Sequence, residues 1–296
     1  MAETVKQKPP QTVGVAVNFD KPQAQACLTR LMRLLEEHGV KVLLERERSM
    51  PIRRIAAKAD LLIVLGGDGT ILRVARLLDG KPTPILGINL GFLGFLTSVR
   101  SDEIEPVTRA VLRGDYDLSV RHTLQATLWR RGRRLETHYA LNDAVLSRVT
   151  SSRVVRLRVF IDDEWLTEYV CDGIICATAT GSTAYSLSAG GPILLPSARA
   201  CVLTPICPHV LSNRSLITDE NNVVRCQVAS AAGELLFTVD GQVQRAMQVG
   251  DEMEVRAASR VVRLVAPEGH EYFEVLRQKL KWSGSHVEDN QTGQPG

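Results

Sequence analysis

The stretch Leu61–Thr70, LLIVLGGDGT, constrains the fold more than any other part of the chain. Its apolar residues run without a polar break, the pattern of a strand buried on both faces of a parallel sheet. Gly66 and Gly67 follow at once, then Asp68, Gly69 and Thr70. After them Ile71, Val74, Ala75 and Leu78 fall on one helical face. The segment therefore reads as strand, tight glycine turn and helix. Such a junction brings backbone N–H groups and a helix N-terminus to an anion, and glycines permit close approach and positive φ. Gly66, Gly67, Gly69 and Thr70 are phosphate-binding candidates, with Arg73 one turn into the helix. Asp68 would repel a phosphate. It is either an ordinary helix N-cap, or the partner of a cation or of a hydroxyl whose proton it accepts. The lysine and spacing of a P-loop are missing, and so is the G-x-G-x-x-G of a dinucleotide turn.

The rest of the sequence narrows the class. A chain of 296 residues, 44% hydrophobic and 23% charged, is expected to be soluble, with one large domain or two smaller ones. Its net charge of +3 is too small to argue for nucleic acid and suits an anionic ligand. No apolar stretch is as long as a membrane span, and the opening MAETVKQKPPQ has no signal-peptide core. A cytoplasmic protein with neither a membrane nor a nucleic-acid partner is the expectation. Cys27, Cys171, Cys176, Cys201, Cys207 and Cys226 form no C-x-x-C pair, so buried free thiols are expected rather than zinc ligands. Arg130, Arg131, Arg133 and Arg134 bracket Gly132 without aromatic interleaving and read as a solvated hairpin tip.

In chain order, a loose tail over 1–11 precedes a strand at Thr12–Phe19. Pro22 starts a helix whose apolar stripe is Cys27, Leu31, Leu34 and Leu35, ended by Gly39. Strands at Val40–Leu44 and Pro84–Asn89 flank a short helix at Arg53–Lys58 and the central strand. Ser101 reads as the cap of a helix running to Leu112 and closed by Gly114. This alternation implies an α/β domain with a parallel sheet over 12–117. Alternating strand patterns then take over, with turns at Arg131-Gly132, Asp162-Asp163 and Asp240-Gly241, so 118–267 reads as a β-rich domain. Phe273, Leu276 and Leu280 predict a final helix over Glu271–Lys281, within a segment 268–282 that packs back on the first domain. The polar tail 283–296 is expected to be disordered.

A second cluster, Ala177–Gly191, is ATATGSTAYSLSAGG. Small hydroxylated residues make poor core but suit a wall against a polar ligand, with Tyr185 to stack on a ring; the alternative is a surface loop. Asn142-Asp143 in ALNDAVL is a turn or a site. Asp172-Gly173 in VCDGIIC favours a hairpin turn. Arg153 is a strand-surface charge or a phosphate clamp, and Gln242 could reach a ligand from its turn.

Taken together these motifs resemble the NAD kinase family, in the form found in Gram-negative bacteria. LGGDGT at Leu65–Thr70 is shared with diacylglycerol kinases, sphingosine kinases and phosphofructokinases. GINLGFLGFLT at Gly87–Thr97, LNDAV at Leu141–Val145, DGIICATATGSTAYSLSAGGPIL at Asp172–Leu194, TPICPH at Thr204–His209 and DGQ at Asp240–Gln242 narrow it. The resemblance implies an ATP-dependent 2′-phosphorylation of NAD to NADP, with Mg²⁺ or another divalent ion carried by ATP. It also implies an active site in the cleft between the domains, and assembly as homodimers or homotetramers. Residue by residue it implies Asp68 as proton acceptor with Gly69 beside it, and Asn142 and Asp143 as the grip on ribose hydroxyls. Further NAD contacts are implied at Phe95, Arg153, Asp172, Thr183, Ala184, Tyr185, Ser186, Leu187, Ser188 and Gln242. Two other functions share features with this reading: a lipid kinase of the GGDGT type, and a non-catalytic NAD(H)-binding sensor.

Overall fold

The computed structural model describes residues 6–45, 50–97, 99–149, 154–210, 212–231, 233–268 and 272–282. The first part contains β1 (Thr12–Val17), α1 (Ala24–Glu37), β2 (Lys41–Leu44), α2 (Ile52–Ala56), β3 (Leu61–Gly66), α3 (Asp68–Leu78), β4 (Ile85–Asn89), β5 (Val99–Arg100) and α4 (Ile104–Leu112). Every residue of β3 is buried. It lies between β1 and β4, parallel to both, as an unbroken apolar run requires. The stripe of α1 is buried as its spacing demands, and Gly39 ends the helix at φ +64°. Within this part the strand order is β4-β3-β1-β2. The order reverses between β1 and β3, and the crevice beyond the carboxyl ends of those two strands is where open α/β sheets bind ligands.

From Asp117 the described chain is almost entirely β. It runs through β6 (Asp117–Arg130), β7 (Arg133–Ala140), β8 (Asp143–Arg148), β9 (Val155–Ile161), β10 (Glu164–Cys171) and β11 (Gly173–Thr178). A 3-10 turn at Gly181–Thr183 and the one-turn α5 (Tyr185–Ser188) interrupt it. Then come β12 (Ala200–Ile206), β13 (Leu216–Asp219), β14 (Val224–Ala231), β15 (Leu235–Val239), β16 (Val243–Met247) and β17 (Glu252–Ala266), and finally α6 (Tyr272–Leu280). One sheet is ordered β13-β12-β11-β8-β15-β16. The other continues the sheet of the first part: β10-β9-β14-β17 joins β4 through the pair Leu264–Ile85. The long strand β17 thus belongs to both lobes, and β6 follows it along most of its length. Leu128, Leu157, Ile174, Phe237 and Met253 belong to the core between the two sheets.

The turns at Arg131-Gly132, Asp162-Asp163 and Asp240-Gly241 all have positive φ at both residues, the geometry of tight hairpins. Asp172-Gly173 is different. It joins β10 in one sheet to β11 in the other, so the expected hairpin is instead a corner between sheets. Ser101 does not cap α4; its hydroxyl donates to Gln23 Oε1, and Glu103 occupies the N-cap and accepts from the Arg100 N–H. The six cysteines are free thiols, all buried except Cys207.

Phe237 is fully buried in the C-terminal core, whereas Leu135 on β7 is 49% exposed. Phe237→Ala is expected to cost about 3–5 kcal/mol of stability in urea unfolding, and Leu135→Ala less than about 0.5 kcal/mol.

Candidate active site

A cleft of about 970 Å³ opens at the β1/β3 switch point, a volume suited to a nucleotide-sized ligand. Gly67, Asp68, Gly69, Thr70 and Arg73 line it, joined by Gln242 from the other lobe and by Asn18, Phe19, Asp20, Lys21 and Glu45. The α3 helix begins at Asp68, with Gly67 as its N-cap in extended conformation. Neither Gly66, Gly67 nor Gly69 has positive φ, so the expected need for left-handed backbone is not met here. Space is the reason for glycine instead. A Cβ on Gly67 or Gly69 would meet no protein atom within 4 Å and would project into the cleft, whereas one on Gly66 would strike the Thr70 side chain. Gly66 is the buried end of β3 and supports the turn rather than lining the cleft.

Asp68 does not cap its own helix. Its Oδ2 accepts from the Phe95 N–H at 2.8 Å. Its Oδ1 accepts from the N–H groups of Leu96 and Thr97 and from the Thr97 hydroxyl, each at 3.1 Å. Asn89, at the end of β4, shapes this loop: its Nδ2 donates to the Phe92 carbonyl and to Thr97 Oγ1, and its Oδ1 accepts from the Gly91 N–H. Any Cβ on Gly94 would collide with the Asp68 carboxylate. The sequence motif GFLGFLT thus encodes a cradle of amide donors for Asp68. Gly94, Thr97 and Asn89 shape that cradle, a part the pattern contains but does not assign to them.

Arg73 is not an open phosphate clamp. Its guanidinium forks onto Glu45 at the end of β2, at 2.7 and 2.8 Å. Glu45 and the cleft cation Lys21 carry no signal in local sequence, because only the sheet brings the ends of β1 and β2 beside α3.

The second lobe meets the cleft through one tight turn. Gln242 Nε2 donates to the Gly69 carbonyl at 2.8 Å. Two residues earlier, the buried Asp240 carboxylate accepts from the N–H groups of Leu141, Asn142 and Asp143, at 2.9, 2.7 and 3.1 Å. Asn142 and Asp143 are therefore tied to the residues beside Asp68. Asp143 is only 5% exposed. Burial, with the Asp240 charge added, pushes its carboxyl up to about 7. Burial also pushes Asp240 up, against its three amide donors and Arg76.

The small-residue wall is mixed. Thr183, Ala184 and Leu187 are half-buried, and Tyr185 and Ser188 are exposed. Tyr185 lies within electrostatic reach of Asp143 and Asp172, which groups these three expected contacts. Ser186 departs from expectation: it is fully buried and its hydroxyl is bonded to that of Thr204 at 2.9 Å, so it backs the wall. Asp172 is paired with Arg148 at 2.8 Å. Phe95 does not line the cleft: its amide donates to Asp68, and its ring lies 6.0 Å from the Lys279 ammonium of α6. Arg153 lies outside the described residues.

A helix N-terminus and a fixed carboxylate at a sheet switch point, joined through Gln242 to a β lobe that carries a buried acid pair, define a nucleotide-handling two-lobed α/β protein. Comparison with known proteins agrees. The ATP-NAD kinase N-terminal domain matches residues 46–116 and the ATP-NAD kinase C-terminal domain residues 141–266. NAD kinase from Syntrophotalea carbinolica is 41% identical over 279 residues, covering 91% of this chain and 98% of that protein. NAD kinase from Geobacter metallireducens is 40% identical over 277 residues, with the same coverage of 91% and 98%. Yeast NADH kinase, crystallised with NADH, superposes with TM-score 0.85 at 30% identity over 94% of this chain and 90% of that one. An Archaeoglobus fulgidus NAD kinase crystallised with ATP shares the fold, with TM-score 0.72 at 23% identity over 92% of this chain and 99% of that one. The chain belongs to the NAD kinase family.

The raised Asp143 carboxyl makes folding pH-dependent. Its folded value of about 7 lies above the unfolded value near 3.9, so the folded state binds the extra proton. Its contribution is fully present below about pH 4 and is lost as pH rises through about 7. Asp143→Asn is expected to flatten this part of the stability–pH curve and to gain on the wild type between pH 4 and 8, as read by urea unfolding.

Proposed function

We propose that the protein transfers the γ-phosphoryl group of ATP to the 2′-hydroxyl of the adenosine ribose of NAD, giving NADP. The carrying observation is the placement of Asp68. It stands at the first turn of α3, beside cleft-facing glycines, and is fixed from behind by the Phe95–Thr97 donors. Oδ1 is occupied by three donors and Oδ2 by one. A carboxylate oxygen has two acceptor positions, so Oδ2 is the atom with room for a hydroxyl proton. In this reading Oδ2 takes the 2′-OH proton as that oxygen attacks the γ-phosphorus, and the β–γ bridging oxygen leaves with ADP.

The other residues position the reactants. Asn142 and Asp143 hold the ribose hydroxyls, oriented by Asp240. Tyr185, with Thr183, Ala184, Leu187, Ser188 and Asp172, offers the dinucleotide wall. Gly67, Gly69 and Thr70 present the α3 N-terminus to phosphate, where fixed amide dipoles oppose developing negative charge. Lys21 and Arg73 are the cleft cations, the latter aligned by Glu45. Among the described residues no three His, Cys, Asp or Glu side chains group to hold a metal. That donor set fits a divalent ion that arrives on ATP and needs only one or two carboxylates, for which Asp68 and Asp20 line the cleft. The ion would neutralise phosphate charge when bound.

The reading extends to a cytoplasmic protein assembled from two or four copies. No helix among the described residues is long and apolar enough to cross a membrane. The curated relatives named above are NAD kinases, and neither a lipid kinase nor a non-catalytic sensor gains support from them.

Incubation of the protein with NAD, Mg²⁺ and ATP, with product identification by chromatography, tests the activity; formation of NADP is expected. Asp68→Asn is expected to lower kcat by at least about 10² while calorimetry still shows NAD binding. Near-normal turnover would remove Asp68 as the base. Tyr185→Ala is expected chiefly to weaken NAD binding, and an unchanged Kd would take Tyr185 out of the site.

A further inference from the structure

Behind the loop that cradles Asp68 lies a second cavity, of about 120 Å³. Phe95 and Leu96 form one wall, β6 contributes Ser119 and Arg121, β17 contributes Leu264, and α6 contributes Tyr272. It shares no lining residue with the cleft over Asp68.

Arg121 is the anomaly. It is only 8% exposed, and its guanidinium Nε is buried with no hydrogen-bond partner among the described residues. The Tyr272 hydroxyl beside it is buried and equally unpartnered. Desolvation lowers the Arg121 guanidinium from its ordinary value and raises the Tyr272 phenol, so the phenol is a neutral O–H donor. An uncompensated buried charge is strongly unfavourable, and native interiors pair such groups. The absent partner must be negative, must accept hydrogen bonds and must be small. A volume of about 120 Å³ corresponds to roughly four waters' share of liquid, far below a nucleotide pocket.

We propose that this cavity is a binding site for a small oxyanion of phosphate size, its charge met by the Arg121 guanidinium and its oxygens by the Tyr272 and Ser119 hydroxyls. The site is built from rigid elements on three sides. Its fourth side is the backbone whose amides hold Asp68, so an occupant would brace that cradle from behind.

The test is calorimetric titration of the full chain with inorganic phosphate, with acetate as the carboxylate arm, at constant ionic strength. The wild type is expected to bind phosphate at a site that survives Arg73→Gln, a substitution in the separate cleft. That site is expected to vanish in Arg121→Met and to weaken about tenfold in Tyr272→Phe, the loss of one hydrogen bond to a charged group. In phosphate-free buffer Arg121→Met is expected to have the higher Tm, a lead that shrinks as phosphate stabilises the wild type alone. Stronger binding of acetate than of phosphate would assign the site to carboxylates and overturn the phosphate class. Phosphate binding that is unchanged in Arg121→Met, or lost entirely in Arg73→Gln, would overturn the proposal. Should Arg121→Met fail to fold, equal phosphate affinity of Tyr272→Phe and wild type would do the same.

Discussion

The architecture of the site depends on one buried carboxylate. Asp240 sits at a hairpin turn whose first two residues have φ of 49° and 66°, and its oxygens gather the N–H groups of Leu141, Asn142 and Asp143. Leu141 and Asn142 lie between β7 and β8, and Asp143 opens β8. An ionised acceptor is the strongest partner a backbone N–H can be given, and burial sharpens both its strength and the cost of losing it. The same turn then delivers Gln242 to the Gly69 carbonyl. Asp240 and Gln242 thereby fix the Asn142–Asp143 pair of one lobe against the α3 N-terminus of the other.

Asp68 is held by the opposite logic. Asp240 is an anion used to organise backbone, while for Asp68 a loop of backbone is organised around an anion. Asn89 folds the loop, Thr97 relays between Asn89 and Asp68, and the absence of a side chain at Gly94 admits the carboxylate. Two oppositely built anion–amide clusters therefore set the distance across which phosphoryl transfer would occur. Enzymatic phosphoryl transfer gains chiefly from positioning and fixed electrostatics, and both clusters supply these before substrate arrives.

Much of this was legible in the chain. An unbroken apolar run followed by GGDGT could only be a buried strand entering a helix, because periodicity and turn chemistry act locally. The hairpins at Arg131-Gly132, Asp162-Asp163 and Asp240-Gly241 were readable for the same reason. What sequence could not supply was direction and partnership. Asp172-Gly173 has hairpin chemistry, yet tertiary packing sends its two strands to different sheets. Ser186 looks like a ligand hydroxyl until the fold puts Thr204 against it. Arg73 looks like a phosphate clamp until β2 delivers Glu45. Of the two properties glycine offers at that turn, close approach and positive φ, only the first is used: the φ values are ordinary, and what matters is the volume the side chains do not occupy.

The lobes are not two bodies joined by a linker. β17 pairs with β14 and β6 in the β-rich part and then lies beside β4, one strand away from β3 and its glycine turn. Arg260, in the middle of β17, pairs with Asp79 at the end of α3 at 2.7 Å and stacks on Tyr139 of β7 at 3.7 Å. The helix that begins at Asp68 is thus held at its first turn by Gln242 and just past its last by Arg260, both from the other lobe. A hinge that opened the lobes would have to break sheet pairing and pull α3 at both ends. The register of β17, rather than the length of any connection, therefore fixes where the Asn142–Asp143 pair stands relative to the Asp68 carboxylate.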